Sequence, residues 1–199
     1  MNSRDNILAQ IKKNKPSELP LPDTFFVTRE VGGEVKRFIE VLQSIGGKVE
    51  QVNNLQAVQD YLQQQSAQGH EVVNGVTGIY PNNLAQYTDS DALAVEAVHT
   101  VVLKGALGVA ENGSVWLSEE AMGNRLLPFI CQELVVVVEP ENIVADMHQA
   151  YQKITIDTDG YGVFIAGPSK TADIEQSLVI GAHGPLAMTV YLATGTSPQ

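Results

Sequence analysis

The run Leu134-Val135-Val136-Val137-Val138 has five apolar residues and no alternation. Successive side chains of a strand point to opposite faces, so a strand with one wet face alternates apolar with polar. An unbroken run needs cover on both faces, the position of a central strand in a sheet with helices packed against it. Shorter β-favouring runs occur at Val72-Val73, Val98 to Leu103, Ser114 to Leu117, Gly162 to Ala166 and Thr189 to Ala193. Helical spacing separates them. Val35, Phe38, Ile39, Leu42 and Ile45 predict a helix over Glu34 to Ile45, stopped by Gly46-Gly47. Asn54 caps a second helix carrying Leu55, Val58, Tyr61 and Leu62, and the spacing predicts further helices over Ile143 to Ile154 and Asp173 to Ile180. This order predicts an α/β fold with a mixed, largely parallel sheet flanked by helices. In such sheets ligands bind beyond the carboxyl ends of the strands, where the loop at Gly167 is expected to lie.

A chain of 199 residues suits one core. Ser3 is a candidate N-cap for a short helix bearing Ile7, Leu8 and Ile11, and Pro16, Pro20 and Pro22 prevent its continuation. The expected organisation is a helical arm and linker over 1–23 and a single α/β domain over 24–199. The net charge of −11, from 23 acidic and 12 basic residues, argues against nucleic-acid binding, which relies on clustered Lys and Arg. No apolar run approaches the ~18 residues that span a bilayer, so a cytoplasmic protein without a membrane span is expected. A single cysteine, Cys131, excludes an intrachain disulfide and a four-cysteine metal site. It is expected to be a small buried apolar residue.

Two segments concentrate the candidate chemistry. Gly167-Pro168-Ser169-Lys170-Thr171-Ala172-Asp173-Ile174-Glu175 and Gly181-Ala182-His183-Gly184-Pro185 form two glycine-proline turns around the helix expected between them. Ser169, Lys170, His183 and Gly184 are thereby held on stiff backbone. A helix N-terminus after Gly167 would favour an anion, with Lys170 assisting, but Asp173 and Glu175 already complement that dipole. Residues two apart on a helix point about 200° apart, so Asp173 and Glu175 do not make a metal site with His183. His183 reads first as a backbone-bonded structural histidine and second as a proton-transfer group. The other segment is Ala110-Glu111-Asn112-Gly113-Ser114, where Asn112-Gly113 between β-favouring runs predicts a hairpin turn. Glu111 reads either as a solvated strand end or as a desolvated base or nucleophile. The candidate catalytic residues are Glu111 and His183. The candidate ligand-binding residues are Asn112, Gly113, Gly167, Ser169, Lys170 and Gly184.

Taken together, the Glu111 turn, Leu126-Leu127-Pro128, the Gly-Pro-Ser turn leading to Ala-Asp-Ile-Glu, and Gly181-Ala182-His183-Gly184-Pro185 resemble the LUD-domain family, in particular its lactate-utilisation protein C branch. The resemblance runs from about Val98 to Leu192. Arg125 directly precedes Leu126, displaced from the family's usual arginine. The resemblance implies a fold similar to ribose-5-phosphate isomerase and CoA transferases, and a part in oxidising L-lactate to pyruvate beside iron–sulfur partner subunits. On that reading this chain alone holds no cofactor, and the clusters lie in the partners. The alternative starts from Glu111-Asn112-Gly113, which looks like the Ser-Glu-Asn-Gly turn of CoA transferases with Ala110 in place of the serine. It implies a stand-alone CoA-transferase-like or sugar-phosphate-binding enzyme using Glu111.

Overall fold

The structure, a computed structural model, describes residues 2–17, 19, 32–155, 160–174 and 177–194. They fall into two units, 1–30 and 31–199. The first contains α1 (Ser3–Lys13). Its N-cap is Asn2 rather than Ser3: Asn2 Oδ1 accepts the Asp5 N–H at 2.9 Å, the bond an orphan first-turn donor needs. Asp5 in the first turn and Lys12 and Lys13 in the last complement the helix dipole. Pro20 and Pro22 lie outside the described residues.

The second unit opens with α2 (Glu34–Ser44), whose Phe38 and Leu42 are fully buried. It stops at Gly46-Gly47, where the Gly47 N–H returns to Leu42 O at 2.9 Å. Then come β1 (Lys48–Val52), α3 (Gln56–Ala67), β2 (Glu71–Asn74), β3 (Val98–Lys104), β4 (Leu107–Val109), β5 (Ser114–Ser118) and the short α4 (Glu119–Met122) and α5 (Leu127–Ile130). The chain continues through β6 (Glu133–Val138), β7 (Ile143–Val144), α6 (Met147–Lys153), β8 (Gly162–Ile165), β9 (Lys170–Ile174), β10 (Ser177–Ile180) and β11 (Ala187–Ala193).

Five strands form a parallel sheet in the order β1-β11-β6-β3-β2, so β6 lies at its centre. Its valine run is covered on both sides. Leu134, Val136 and Val138 join Phe38 and Leu42 of α2 and Val115 and Leu117 of β5, while Val135 and Val137 join Val58 and Leu62 of α3. A second sheet, β7-β4-β5-β8, contributes β5 to the first of these clusters, and Leu107, Val109, Trp116 and Val144 pack with Ala150 of α6. The layers are thus α3, the parallel sheet, α2 with the second sheet, and α6. The expected α/β class holds.

Three local expectations fail. The Gly162 run does not extend the parallel sheet. It pairs antiparallel with β5, Trp116 opposite Phe164, where the two rings meet at 4.7 Å. The helix expected over Asp173 to Ile180 is a hairpin, β9 and β10, with Ile174 opposite Ser177 and Lys170 opposite Ile180. Thr171, Ile174, Val179 and Ile180 are β-branched residues that suit a pleated surface, and that preference outweighs the acidic pattern that suggested a helix start. Glu175 lies outside the described residues. The segment expected to be helical from Ile143 begins instead as a strand, and α6 starts only at Met147, capped by Asp146, which accepts from the Gln149 N–H.

Candidate functional site

The two glycine-proline turns meet directly. The Ser169 N–H donates to Pro185 O at 2.9 Å and the Gly181 N–H to Ser169 O at 3.0 Å. Gly184 lies against the same serine, where an added Cβ would stand 3.1 Å from Ser169 Cβ. Gly167 has φ +71, and a Cβ there would stand 3.1 Å from Ile45 O, at the end of α2. The conformation and the close approach both favour glycine. Lys170 Nζ donates to Ile45 O, so the ammonium caps the carbonyl end of α2, where a cation complements the dipole. His183 is exposed in the same turn.

The Glu111 turn reaches this cluster from the neighbouring strand. β5 and β8 pair with Val115 opposite Ile165, and Gly113 and Gly167, each two residues beyond that pair, both lie against the carboxyl end of α2, at Leu42 and Ile45. Gly113, at φ +68, comes so close to α2 that a Cβ would stand 2.9 Å from the backbone N and Cα of Leu42. Asn112 Oδ1 closes the turn by accepting from the N–H of Ser114 at 3.0 Å and its hydroxyl at 2.7 Å. The hairpin expected at Asn112-Gly113 is present, joining β4 to β5. Glu111 turns elsewhere. It is exposed, and its Oε2 accepts the Met147 N–H at 3.1 Å, at the start of α6. The structure therefore gathers Gly167, Ser169, Lys170 and Gly184, with His183 in the same turn, sets Asn112-Gly113 beside them, and directs the Glu111 carboxylate to a helix terminus.

The position of this cluster corrects the sequence expectation. β11 begins two residues after Pro185, and the Leu186 and Ala187 N–H groups bond Gln132 O just before β6. The loops sit at the amino ends of the parallel strands. The carboxyl-edge rule assumes a helix after each strand, whereas Gly167 follows a strand of the second sheet and leads into a hairpin. With no helix after Gly167, the dipole argument for an anion there has no basis.

The same edge carries a row of side chains that spacing alone does not reveal. The His70 and His99 rings stack at 3.7 Å and 10°. His70 Nδ1 pairs with Gln65 Oε1 at 2.6 Å and His99 Nδ1 with Thr100 Oγ1 at 3.0 Å. The Tyr61 hydroxyl donates to Glu133, and the Gln132 N–H bonds His99 O at 2.9 Å, linking this row to the Gly181 turn. The two histidines are 29 positions apart and meet only because β2 and β3 are neighbours. Burial, and secondarily the His70 ring, hold the His99 pKa below its ordinary 6.5, against the opposing pull of Glu133. A histidine with a depressed folded pKa binds its proton more readily when unfolded, so its contribution erodes as pH falls through the unfolded value and levels off below the folded one. The thermal midpoint is expected to fall between about pH 7.5 and about pH 5.5, and less steeply in His99→Gln. Parallel pH profiles of the two proteins by calorimetry check this; superimposable slopes contradict it.

The remaining sequence candidates are placed simply. Cys131 is buried, and burial pushes its thiol up to about 12, which leaves it protonated and unreactive at neutral pH. Arg125 donates from Nε to Glu119 Oε1 at 2.7 Å and lies 4.6 Å over the Tyr161 ring. Lys104 pairs with Glu139 at 3.4 Å. Gly75-Val76-Thr77-Gly78 wraps around the buried Asn74. Among the described residues no three His, Cys, Asp or Glu side chains are placed to hold a metal, and no helix is long and apolar enough to cross a membrane.

Fold and loops together define an α/β protein with a parallel sheet, an antiparallel companion sheet and paired glycine turns at the amino edge. The LUD domain profile matches residues 92–193, just over half of the chain and all of these loops, and the chain belongs to the LUD domain family. It is 34% identical over 117 residues to lactate utilization protein C of Bacillus pumilus, covering 56% of this chain and 48% of that one. It is 30% identical over 107 residues to the protein of the same name from Geobacillus kaustophilus, covering 51% and 45%. The chain spans about half the length of the curated relatives it matches. Its fold is similar to a crystal structure of a DUF162 family protein from Deinococcus radiodurans, with a TM-score of 0.59 and 14% identity over 80% of this chain and 96% of that one.

Proposed function

We propose that this chain is a subunit of an L-lactate-oxidising system in which iron–sulfur partner subunits carry the electrons released as lactate becomes pyruvate. The observation that carries this reading is the LUD domain match over residues 92–193, which include both glycine turns, together with the similarity to lactate utilization protein C. The lone buried cysteine suits a division of labour in which clusters reside elsewhere. Within the system, the turns at Gly167, Ser169, Lys170 and Gly184, with Asn112-Gly113 beside them, hold a small ligand on rigid backbone. His183 moves a proton at that ligand and Glu111 supports the site.

The test is L-lactate-dependent dye reduction by the chain purified with its partners. His183→Ala is expected to lower the rate by about 10²-fold, the usual scale for a lost acid–base group. Glu111→Gln keeps an acceptor for the Met147 N–H, so its melting should stay near wild type while activity drops. Full activity in both variants, with unchanged melting, removes the site assignment. An iron-free single chain with no lactate-dependent reduction removes the subunit reading.

A further inference from the structure

Two exposed segments of this chain share one plan with opposite charge. In α1 the side chains of Ile7, Leu8 and Ile11 are each more than half exposed, and no residue of the helix is buried. At about 100° per residue these three fall within one arc of about 100°, Arg4 lies inside that arc and Lys12 lies beside it. Arg4, Lys12, Lys13 and Lys15 against Asp5 give residues 1–17 a net +3, and the rest of the chain carries −14. A helix of 11 residues is marginal in water unless its apolar face is covered. The complementary segment is the loop before β3. Leu93 is 81% exposed, with Asp89 and Asp91 before it and Glu96 after it, all three exposed. This loop is fixed from beneath. The buried Asn124 donates from Nδ2 to Tyr87 O at 2.8 Å and Ser90 O at 2.9 Å, Asp91 Oδ1 accepts the Ala94 N–H at 2.9 Å, and Val95 is fully buried. A large apolar side chain on a fixed loop loses little entropy when covered, which is the character of an interface anchor. Among the described residues neither the four cations nor the three acids are in an ion pair.

We propose that α1 of one copy docks on the 89–96 loop of a second copy, and reciprocally, so that the chain forms a dimer by exchanging its arms. Ile7, Leu8 and Ile11 cover Leu93, and Arg4 and Lys12 face the acids around it. Both surfaces are exposed within a single chain, so what covers them comes from outside it. The chain itself carries the complement of each, in apolar character and in charge. A reciprocal exchange makes the same contact twice and closes the pair, where a one-way contact would propagate as a filament. The basic arms also place positive charge between two acidic molecules that would otherwise repel. The dimer stands independently of the role proposed for the glycine turns.

The test is sedimentation velocity of the full chain over a range of concentrations. A dimer is expected, with a dissociation constant that rises at least about 10-fold between about 50 and 500 mM salt, because screening weakens the charge contacts. Leu93→Glu should weaken it by at least about 10-fold, the scale of an interface anchor. Tyr80→Glu, at an equally exposed position, should not. Asp89→Lys with Glu96→Lys should weaken the dimer likewise, and adding Arg4→Glu with Lys12→Glu to that chain should restore it. Near-ultraviolet circular dichroism confirms that the variants are folded. A monomer at every concentration, which would leave the arm to an acidic partner of another kind, overturns the proposal. A dimer indifferent to Leu93→Glu, or a charge reversal without rescue, does so as well. Because the chain is studied without partners or dye, these outcomes are read apart from the lactate-oxidation assay.

Discussion

Asn74→Ala is expected to be among the most damaging single substitutions in this protein, costing about 3 kcal/mol. Asn74 is fully buried at the end of β2. Its Nδ2 donates to Ile79 O at 3.0 Å, Pro81 O at 3.1 Å and Val76 O at 3.3 Å, and its Oδ1 accepts the Val76 N–H at 2.9 Å. One carboxamide thus replaces the secondary structure that the 75–81 loop lacks. Alanine would leave several backbone groups without partners, and a buried unpaired group costs about 1–3 kcal/mol. Not all can be rescued, because Val76 and Ile79 are themselves buried. Asn74→Asp keeps the acceptor but turns a buried carboxylate oxygen onto three carbonyl oxygens, so it should cost at least as much as alanine. Chemical denaturation measures the loss, and hydrogen exchange at Val76 should accelerate in step. A midpoint within error of wild type would mean that the loop is held by something other than Asn74.

Phe38→Ala is expected to cost about 3–5 kcal/mol, the range for a large aromatic removed from a well-packed core. Phe38 is fully buried on α2, in the cluster shared with the parallel sheet and β5. Its ring also approaches Gly108 of β4, where a Cβ would stand 3.0 Å from Cε2. The consequence extends beyond stability. Gly113 rests on Leu42 and Gly167 on Ile45, so α2 is the surface against which both candidate loops are set. A cavity beneath α2 should loosen Gly113 and Gly167 together, visible as faster amide exchange at both turns. Leu42→Ala, one turn on, should act in the same direction. Loss of stability without any change at the turns would show that the loops hold their geometry independently of α2.

Much of the architecture is legible in the chain because it is local or is imposed by the core. The unalternating valines need two covered faces, and β6 is the central strand. The spacing from Val35 to Ile45 and the Gly46-Gly47 stop delimit α2 to within a residue. Asn112-Gly113 announces its turn. The failures share a cause, which is that pairing partners lie far away in sequence. Nothing local says that Gly162 to Ile165 joins β5 rather than the parallel sheet, because a buried strand of either kind has the same composition. Asp173 and Glu175 imitate a helix start, and the hairpin is decided by β-branched neighbours. In the candidate site, the meeting of the two glycine turns was foreseeable from their rigidity. Their location at the amino edge was not, since it depends on which sheet β8 joins. The His70 and His99 stack is assembled from separate elements, and no spacing rule reaches it.

The seven residues of β11, at ~3.3 Å each, put roughly 20 Å between the Gly181 turn and the opposite end of the parallel sheet. Substitutions that far apart, with no shared partners, contribute almost additively. The molecule can therefore be altered at one end while the other keeps its geometry, with a rigid valine-rich spacer between them. In lineages of this family, new ligand preferences and new associations can accumulate separately, neither disturbing what the other end has already acquired.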